Sequence, residues 1–453
     1  MRKLCCIARL LLALGLTLGS GLAAGAQTPP ADEQITLAIV GGRLIDGYGG
    51  PPLEDSVILL RGKRIAAVGQ VGRLAIPDGV PVVSSEGMTV MPGLIDLHVH
   101  FSILGHNDYS HWFPTYKDRM RTLVMPLAAK IMLHAGVTSA RDLGSNVKDI
   151  FWLREQINSG KLPGPRTFVA GPFLRKSKLA VSAGYNDTWV VNDPEDARQK
   201  VRELVALGVD VIKTQDEKLS VEELRAIYDE ARKHKKRVST HLFTQPAIRR
   251  ALQAGIGPLD TLEHIGDGPE PAFAPDIVQG VVESEVGVVP TEIAIDGFRQ
   301  LVLFPELRDA PAFRESFPPE LWQDIRNSYE DLQRHPLFHD SLFERAGRVG
   351  KLRQLKRAGA RFYLGSDSGS RGNPHHMAAW REMVQFVEFG LTPMEIILAA
   401  TFWPAHVLGR EKDLGTIAPG KLADIIIVDG DPLQNMAVME RVIHVIQDGK
   451  LVR

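Results

Sequence analysis

Leu94-Ile95-Asp96-Leu97-His98-Val99-His100 is an apolar run that ends in two histidines separated by a single valine. Side chains on a strand alternate, so positions 98 and 100 point to the same side. Working outward from this run, seven more apolar segments read as strands, at 137–142, 166–171, 209–214, 237–242, 261–264, 286–292 and 361–367. Helical patterns lie between most of them. The clearest covers 220–234, where Ser220 and Glu223 form a capping box. Eight strands alternating with helices predict an α/β fold, a (β/α)8 TIM barrel over 92–402.

The flanking segments have another texture. Short apolar runs at 37–40, 57–60, 65–68 and 80–83 are separated by turn signals such as Asp46-Gly47 and Pro77-Asp78-Gly79. This pattern reads as a small antiparallel β-unit. Residues 422–428 and 442–446 repeat the style near the C-terminus. Neither piece is large enough to bury a core alone. Segments 35–91 and 403–453 are therefore expected to pair into one composite β-sandwich.

Residues 1–26 open with Arg2 and Lys3, continue through an apolar Leu10–Ala24 stretch and end in Ala24-Gly25-Ala26. That is the pattern of a secretory signal peptide, and it predicts a secreted or periplasmic mature chain. The stretch is Gly-rich and shorter than the ~20 residues that span a bilayer, so no stable membrane anchor is expected. Cys5 and Cys6 are the only cysteines, so the mature chain would hold neither a disulfide nor a thiolate metal site. A formal net charge of −1 gives no support for a nucleic-acid partner. The expected partner is a small-molecule substrate, with homo-oligomerisation left open. The span 296–357 is longer than one barrel helix requires, and it reads as a helical insertion that either covers the mouth or merely decorates the surface.

Function in such barrels gathers at the C-terminal ends of the strands. His98 and His100 fall at the first of these ends, Lys213 at the fourth, His241 at the fifth, His264 at the sixth and Asp367 at the eighth. Imidazole and carboxylate suit a borderline divalent ion, zinc above all. A lysine buried beside cations loses its proton readily, and the neutral amine can add carbon dioxide. The resulting carbamate would bridge two metals, which share a hydroxide and clamp a carbonyl or phosphoryl oxygen. Lone histidines in strands are more often satisfied core residues, and His134, His234 and His444 read that way. Phe101, His106, Tyr109, His111, Trp112, Tyr185, Arg371, His375 and His376 stand in loops near the mouth, where any of them could line a substrate pocket.

Several motifs carry a resemblance. Val90-Met91-Pro92-Gly93-Leu94-Ile95-Asp96-Leu97-His98-Val99-His100 resembles the opening motif of the amidohydrolase superfamily. Leu414-Gly415-Thr416-Ile417-Ala418-Pro419-Gly420-Lys421-Leu422-Ala423-Asp424 resembles that family's return into its β-sandwich. Segments 136–144 and 365–369 are similar to its second and eighth strands. The nearest subgroup is imidazolonepropionase-like and prolidase-like. The resemblance implies two divalent metals. His98, His100 and Asp367 would hold one, His241 and His264 the other, and Lys213 would bridge as its carbamate. Asp367 would also move the proton. Two stretches depart from the peptide-cleaving pattern: Gly171 is followed by Pro172-Phe173-Leu174-Arg175, without a Gly-Gly-His, and Leu242-Phe243-Thr244 follows His241.

The activity this predicts is hydrolysis of an amide or peptide-like carbon–nitrogen bond, in a dipeptide or N-acyl amino acid, by metal-bound hydroxide. The alternatives are a cyclic amide or imidazolone hydrolase or deaminase, and an ester, lactone or phosphotriester hydrolase on the same site. A non-catalytic binding protein is disfavoured because none of the six residues is missing.

Overall fold

A computed structural model describes residues 34–177, 188–215, 217–268, 270–309, 311–330, 332 and 344–453. The expected signal peptide and Tyr185 lie outside the described residues.

Parallel strands form the centre. Leu94–Val99, Val137–Asp142 and Arg166–Val169 make one three-stranded sheet. A six-stranded sheet runs in the order Thr188–Val190, Phe173–Arg175, Val211–Gln215, Arg237–His241, Thr261–Glu263 and Gly287–Val289, all parallel. The third expected strand is thus two short ones. The chain turns at Gly171, whose φ is +69°. Arg166–Val169 pairs back with Val137–Asp142 and Phe173–Arg175 pairs forward with Val211–Gln215. The eighth expected strand is not a continuous ladder. Its segment makes isolated parallel bridges, Phe362 to Val288 and Ser368 to Val99, and Leu97 N–H donates to Leu364 O at 2.9 Å. Asp367, at φ +51°, cannot extend a strand. The seventh strand stops at Val289, because Thr291 turns left-handed and Glu292 starts a helix.

Helices follow the strands for local reasons. Asp193 caps the N–H groups of Glu195 and Asp196, Pro194 fits the first turn, and Gly208 ends Pro194–Leu207 at φ +89°. The capping box expected at Ser220 and Glu223 opens Val221–Lys233. Each of the eight segments gives a buried apolar side chain to the main core: Leu94, Val137, Val169, Ile212, Val238, Leu262, Val288 and Leu364.

The two ends of the described chain meet. Ile425–Val428 pairs antiparallel with Thr89–Pro92, in a five-stranded sheet that also holds Arg43–Leu44, Val442–Gln447 and Lys450–Leu451. A four-stranded sheet holds Arg64–Gln70, Ser56–Arg61, Leu37–Val40 and Val82–Ser84. Ile39, Ile58, Leu60, Val90, Ile425 and Ile427 share one apolar cluster across both sheets. The sheets are mixed rather than antiparallel throughout: Leu37–Val40 runs parallel to Val82–Ser84, and Arg43–Leu44 parallel to Thr89–Pro92.

The span 296–357 of the expected insertion begins inside the helix Glu292–Leu303 and takes in most of Arg345–Ala358, which packs on Pro275–Glu283 and Ala378–Phe389. Between them, Pro319–Asn327 docks on the loop after Leu94–Val99. Tyr329 Oη donates to Gly105 O at 2.6 Å and Asn107 N–H donates to Ser328 Oγ at 3.0 Å. No helix among the described residues is long and apolar enough to cross a membrane.

Candidate metal centre

His98, His100, Lys213, His241, His264 and Asp367 all line one cavity of about 550 Å³. Each stands where its strand stops or just past it, except Lys213, which sits inside Val211–Gln215 with its side chain buried. Two of the group's backbone positions, and that of the neighbouring Thr291, are costly. His264 (φ +62°), Thr291 (φ +52°) and Asp367 (φ +51°) are left-handed without being glycine, which costs about 1–3 kcal/mol each. Asn373 Nδ2 donates to Ser366 O at 2.6 Å and Asp367 O at 3.1 Å, and so pins the Asp367 turn.

Hydrogen bonds fix the ring orientations. His98 Nδ1 lies 2.8 Å from Glu263 Oε2, an acceptor only, so His98 donates there. Thr291 Oγ1 donates to Pro290 O at 2.6 Å and therefore accepts from His264 Nδ1 at 2.8 Å. His100 Nδ1 faces Gly144 O at 3.3 Å. All three Nε2 atoms then point at the Asp367 carboxylate, at 3.5 Å from His98, 3.1 Å from His100 and 3.8 Å from His264. For neutral rings these are lone pairs aimed at an anion, an arrangement that a cation between them would make favourable. His241 Nε2 is buried with no hydrogen-bond partner among the described residues, and its ring stacks on His264 at 4.0 Å. Donor atoms of His98, His264 and Asp367 lie within 4.8 Å of one another. The residues present therefore fit divalent metal.

Burial and neighbouring charge act differently on the members of the group. Burial, then the positive charge of Lys213, holds His98 well below the usual imidazole value. Burial and the neighbouring His264 do the same for His241. Burial also opposes protonation of His100, but the Asp367 carboxylate overcomes it and raises that group. Burial is the largest single influence on Asp367 and raises it, but the bond to His100 and the charges of His264, His100 and Lys213 together lower it. Lys213 is pushed down to about 8, chiefly by burial, and its Nζ donates to Ser239 Oγ at 3.4 Å.

The sequence reading missed the groups behind these side chains. Glu263 also accepts from Arg141 Nη2 at 2.9 Å and Ser239 Oγ at 2.9 Å. Asp96 accepts from His98 N–H at 3.1 Å and Ser366 N–H at 3.0 Å, tying the first strand to the Asp367 turn. Of the loop residues singled out in the sequence, Tyr109 and Arg371 reach the cavity wall. Phe101 and Trp112 are core. His375 supports the His100 carbonyl at 3.2 Å, and His376 faces a different cavity. His134 and His444 are half-buried and His234 is exposed, not core as expected. The two departing stretches contribute Phe173 and Phe243 to the wall. A second cluster, His106, His111 and Asp324, brings donor atoms within 4.8 Å. There His106 Nδ1 accepts from Asp108 N–H at 3.0 Å, which leaves the proton on Nε2. With His111 Nε2 at 3.0 Å from Asp324 and Tyr116 Oη at 2.9 Å, this cluster is a hydrogen-bonded staple for the insertion.

An α/β fold with histidines, a lysine and an aspartate converging at strand ends defines a metal-binding hydrolase. The amidohydrolase family model matches residues 89–452, and the chain belongs to that family, whose members here are hydrolases acting on carbon–nitrogen bonds. It is 25% identical to an ochratoxinase from Aspergillus niger, over 93% of this chain and 88% of that protein. Its fold is similar to that of a Xaa-Pro dipeptidase crystallised with methionine in its active site, with a TM-score of 0.73, 26% identity, and coverage of 92% of this chain and 99% of the other. The crystal structure of A. niger ochratoxinase shares the fold with a TM-score of 0.69 at 23% identity, over 93% and 96% of the two chains.

Proposed function

We propose that this protein hydrolyses the amide bond of a dipeptide or N-acyl amino acid at a two-metal centre. The carrying observation is the convergence of three Nε2 atoms on Asp367 beside the unpartnered Nε2 of His241. His98, His100 and Asp367 would hold one ion, His241 and His264 the second, and Lys213, as its CO2-derived carbamate, would bridge them. Bound there, divalent ions, zinc by the donor set, supply Lewis acidity toward the scissile carbonyl and the attacking water. Asp367 accepts the water's proton as its oxygen bonds to the carbonyl carbon. It returns that proton to the nitrogen as the carbon–nitrogen bond breaks. Phe113, Phe173 and Phe243 line the same cavity and would limit bulk water beside the scissile bond.

The same reading extends to the scaffold. The bridges at Phe362 and Ser368, with the split third strand, support an eight-stranded barrel over 92–402, flanked by a β-sandwich from 35–91 and 403–453. Residues 1–26 would be removed on export to the periplasm or beyond. Elemental analysis of the purified protein should find close to two metals per chain. Lys213→Ala should lose both metal and turnover of dipeptides and N-acyl amino acids while keeping its circular dichroism spectrum. Full turnover by that variant overturns the carbamate, and a wild type inert toward both substrate groups overturns the activity.

A further inference from the structure

We propose that Arg371 reads a free carboxylate on the substrate, with Ser370 as its hydroxyl partner. This rests on the amide-hydrolase reading above and names the side of the substrate that the cavity selects. Arg371 lines the cavity wall four residues after Asp367. Its Nε donates to Asn107 O at 3.0 Å, and its guanidinium carbon lies 3.9 Å from the Tyr109 ring centroid. These contacts fix the plane of the fork. Among the described residues, neither terminal nitrogen has a hydrogen-bond partner and no carboxylate pairs with the group. The other charged groups of the wall outside the metal set are both acidic, so among its described residues Arg371 is the cation the wall offers. Asp267 is held by Arg348 at 2.5 Å, and Glu344 accepts from Gly268 N–H at 3.4 Å. Ser370 Oγ, which also lines the cavity, is buried without a hydrogen-bond partner among the described residues.

The loop under Arg371 is rigid. Gly105 N–H donates to Gly369 O at 2.8 Å and Gly372 N–H donates to Gly105 O at 2.9 Å. A side chain at Gly369 would meet His100 O at 2.5 Å, so the loop comes as close to the metal ligands as backbone allows. A planar, preoriented guanidinium with two unspent N–H pairs is matched by a carboxylate, which it binds through two parallel bonds. The apolar surfaces of Phe113, Phe243 and Ile295 then receive the uncharged part of the substrate.

The test is calorimetric titration of metal-loaded protein with N-benzyl-L-phenylalanine and with the matching alcohol, N-benzyl-L-phenylalaninol. Neither has a bond to cleave. The wild type should prefer the carboxylate by about 100-fold. Arg371→Gln should lose that preference and Arg371→Lys should keep part of it, as a point charge does. A preference that survives Arg371→Gln, or is absent from the wild type, overturns the inference. Hydrolysis of dipeptides and of N-acyl amino acids, N-benzoyl-L-phenylalanine among them, followed in parallel, separates the two readings. Preference without hydrolysis sinks the proposed activity and leaves Arg371 standing, and hydrolysis without preference does the reverse.

Discussion

Glu263 serves two neighbours at once. One oxygen orients His98 at 2.8 Å, and the other faces the buried Arg141 guanidinium at 2.9 Å. Both partners are about 1% exposed and Glu263 is wholly buried, so water cannot replace the carboxylate. Glu263→Gln keeps the shape and removes the charge. Breaking a buried pair in this way costs about 3–5 kcal/mol. Losing the orienting acceptor should also weaken metal binding about 10–100-fold. Urea unfolding and metal titration read the two effects separately, and a variant unchanged in both would show that His98 needs no orienting anion. The six inward residues were legible because strand ends announce themselves through periodicity. Glu263 and Thr291 were not. Their roles depend on which strand lies beside which, and Glu263 reaches a partner 165 positions away. The one local hint was an acidic residue inside an otherwise apolar strand, next to a candidate ligand.

At the scale of elements, the sequence supplied the strand and helix order but not how the insertion is fastened. Its staple joins Asp324 to His111, 213 positions earlier, and no local pattern encodes such a contact. The split of the third strand was equally hidden, since Phe173–Arg175 is a strand only because Val211–Gln215 offers it a partner edge. The staple has a consequence in acid. Burial is the main cause that lowers His106 from 6.5 to about 4, with Asp324 opposing it. Between those values the unfolded chain binds a proton that the folded chain does not. The His106 contribution to stability is therefore present above about pH 6.5 and is lost as pH falls toward 4. His106→Phe removes this titration. Its urea midpoint should lie below that of the wild type at pH 7.5 and gain on it as pH drops to about 4.5. A constant gap across that range would mean His106 titrates alike in the folded and unfolded chains.

For the molecule as a whole, the metal centre is where local conflicts accumulate: three left-handed non-glycine residues, one unpartnered imidazole nitrogen, and lone pairs facing a carboxylate. A sequence chosen for stability alone would remove all of these. The rest of the fold must bear them, and it does so through the core and the sheet that joins Thr89–Pro92 to Ile425–Val428. A ligand that binds only the folded state adds about 4.1 kcal/mol of stability at a thousandfold excess over its Kd. Metal should therefore raise the melting temperature, and chelation followed by dialysis should lower it by several degrees. Zinc add-back should restore the loss in the wild type. In Lys213→Ala the chelated and zinc-treated proteins should melt together, and in His241→Ala, which keeps His98, His100 and Asp367, zinc should restore only part of the wild-type gain. If chelation left the wild-type transition unmoved while activity vanished, the ions would be bound too weakly to offset the strain, and the conflicts at the centre would have to be held by the scaffold alone.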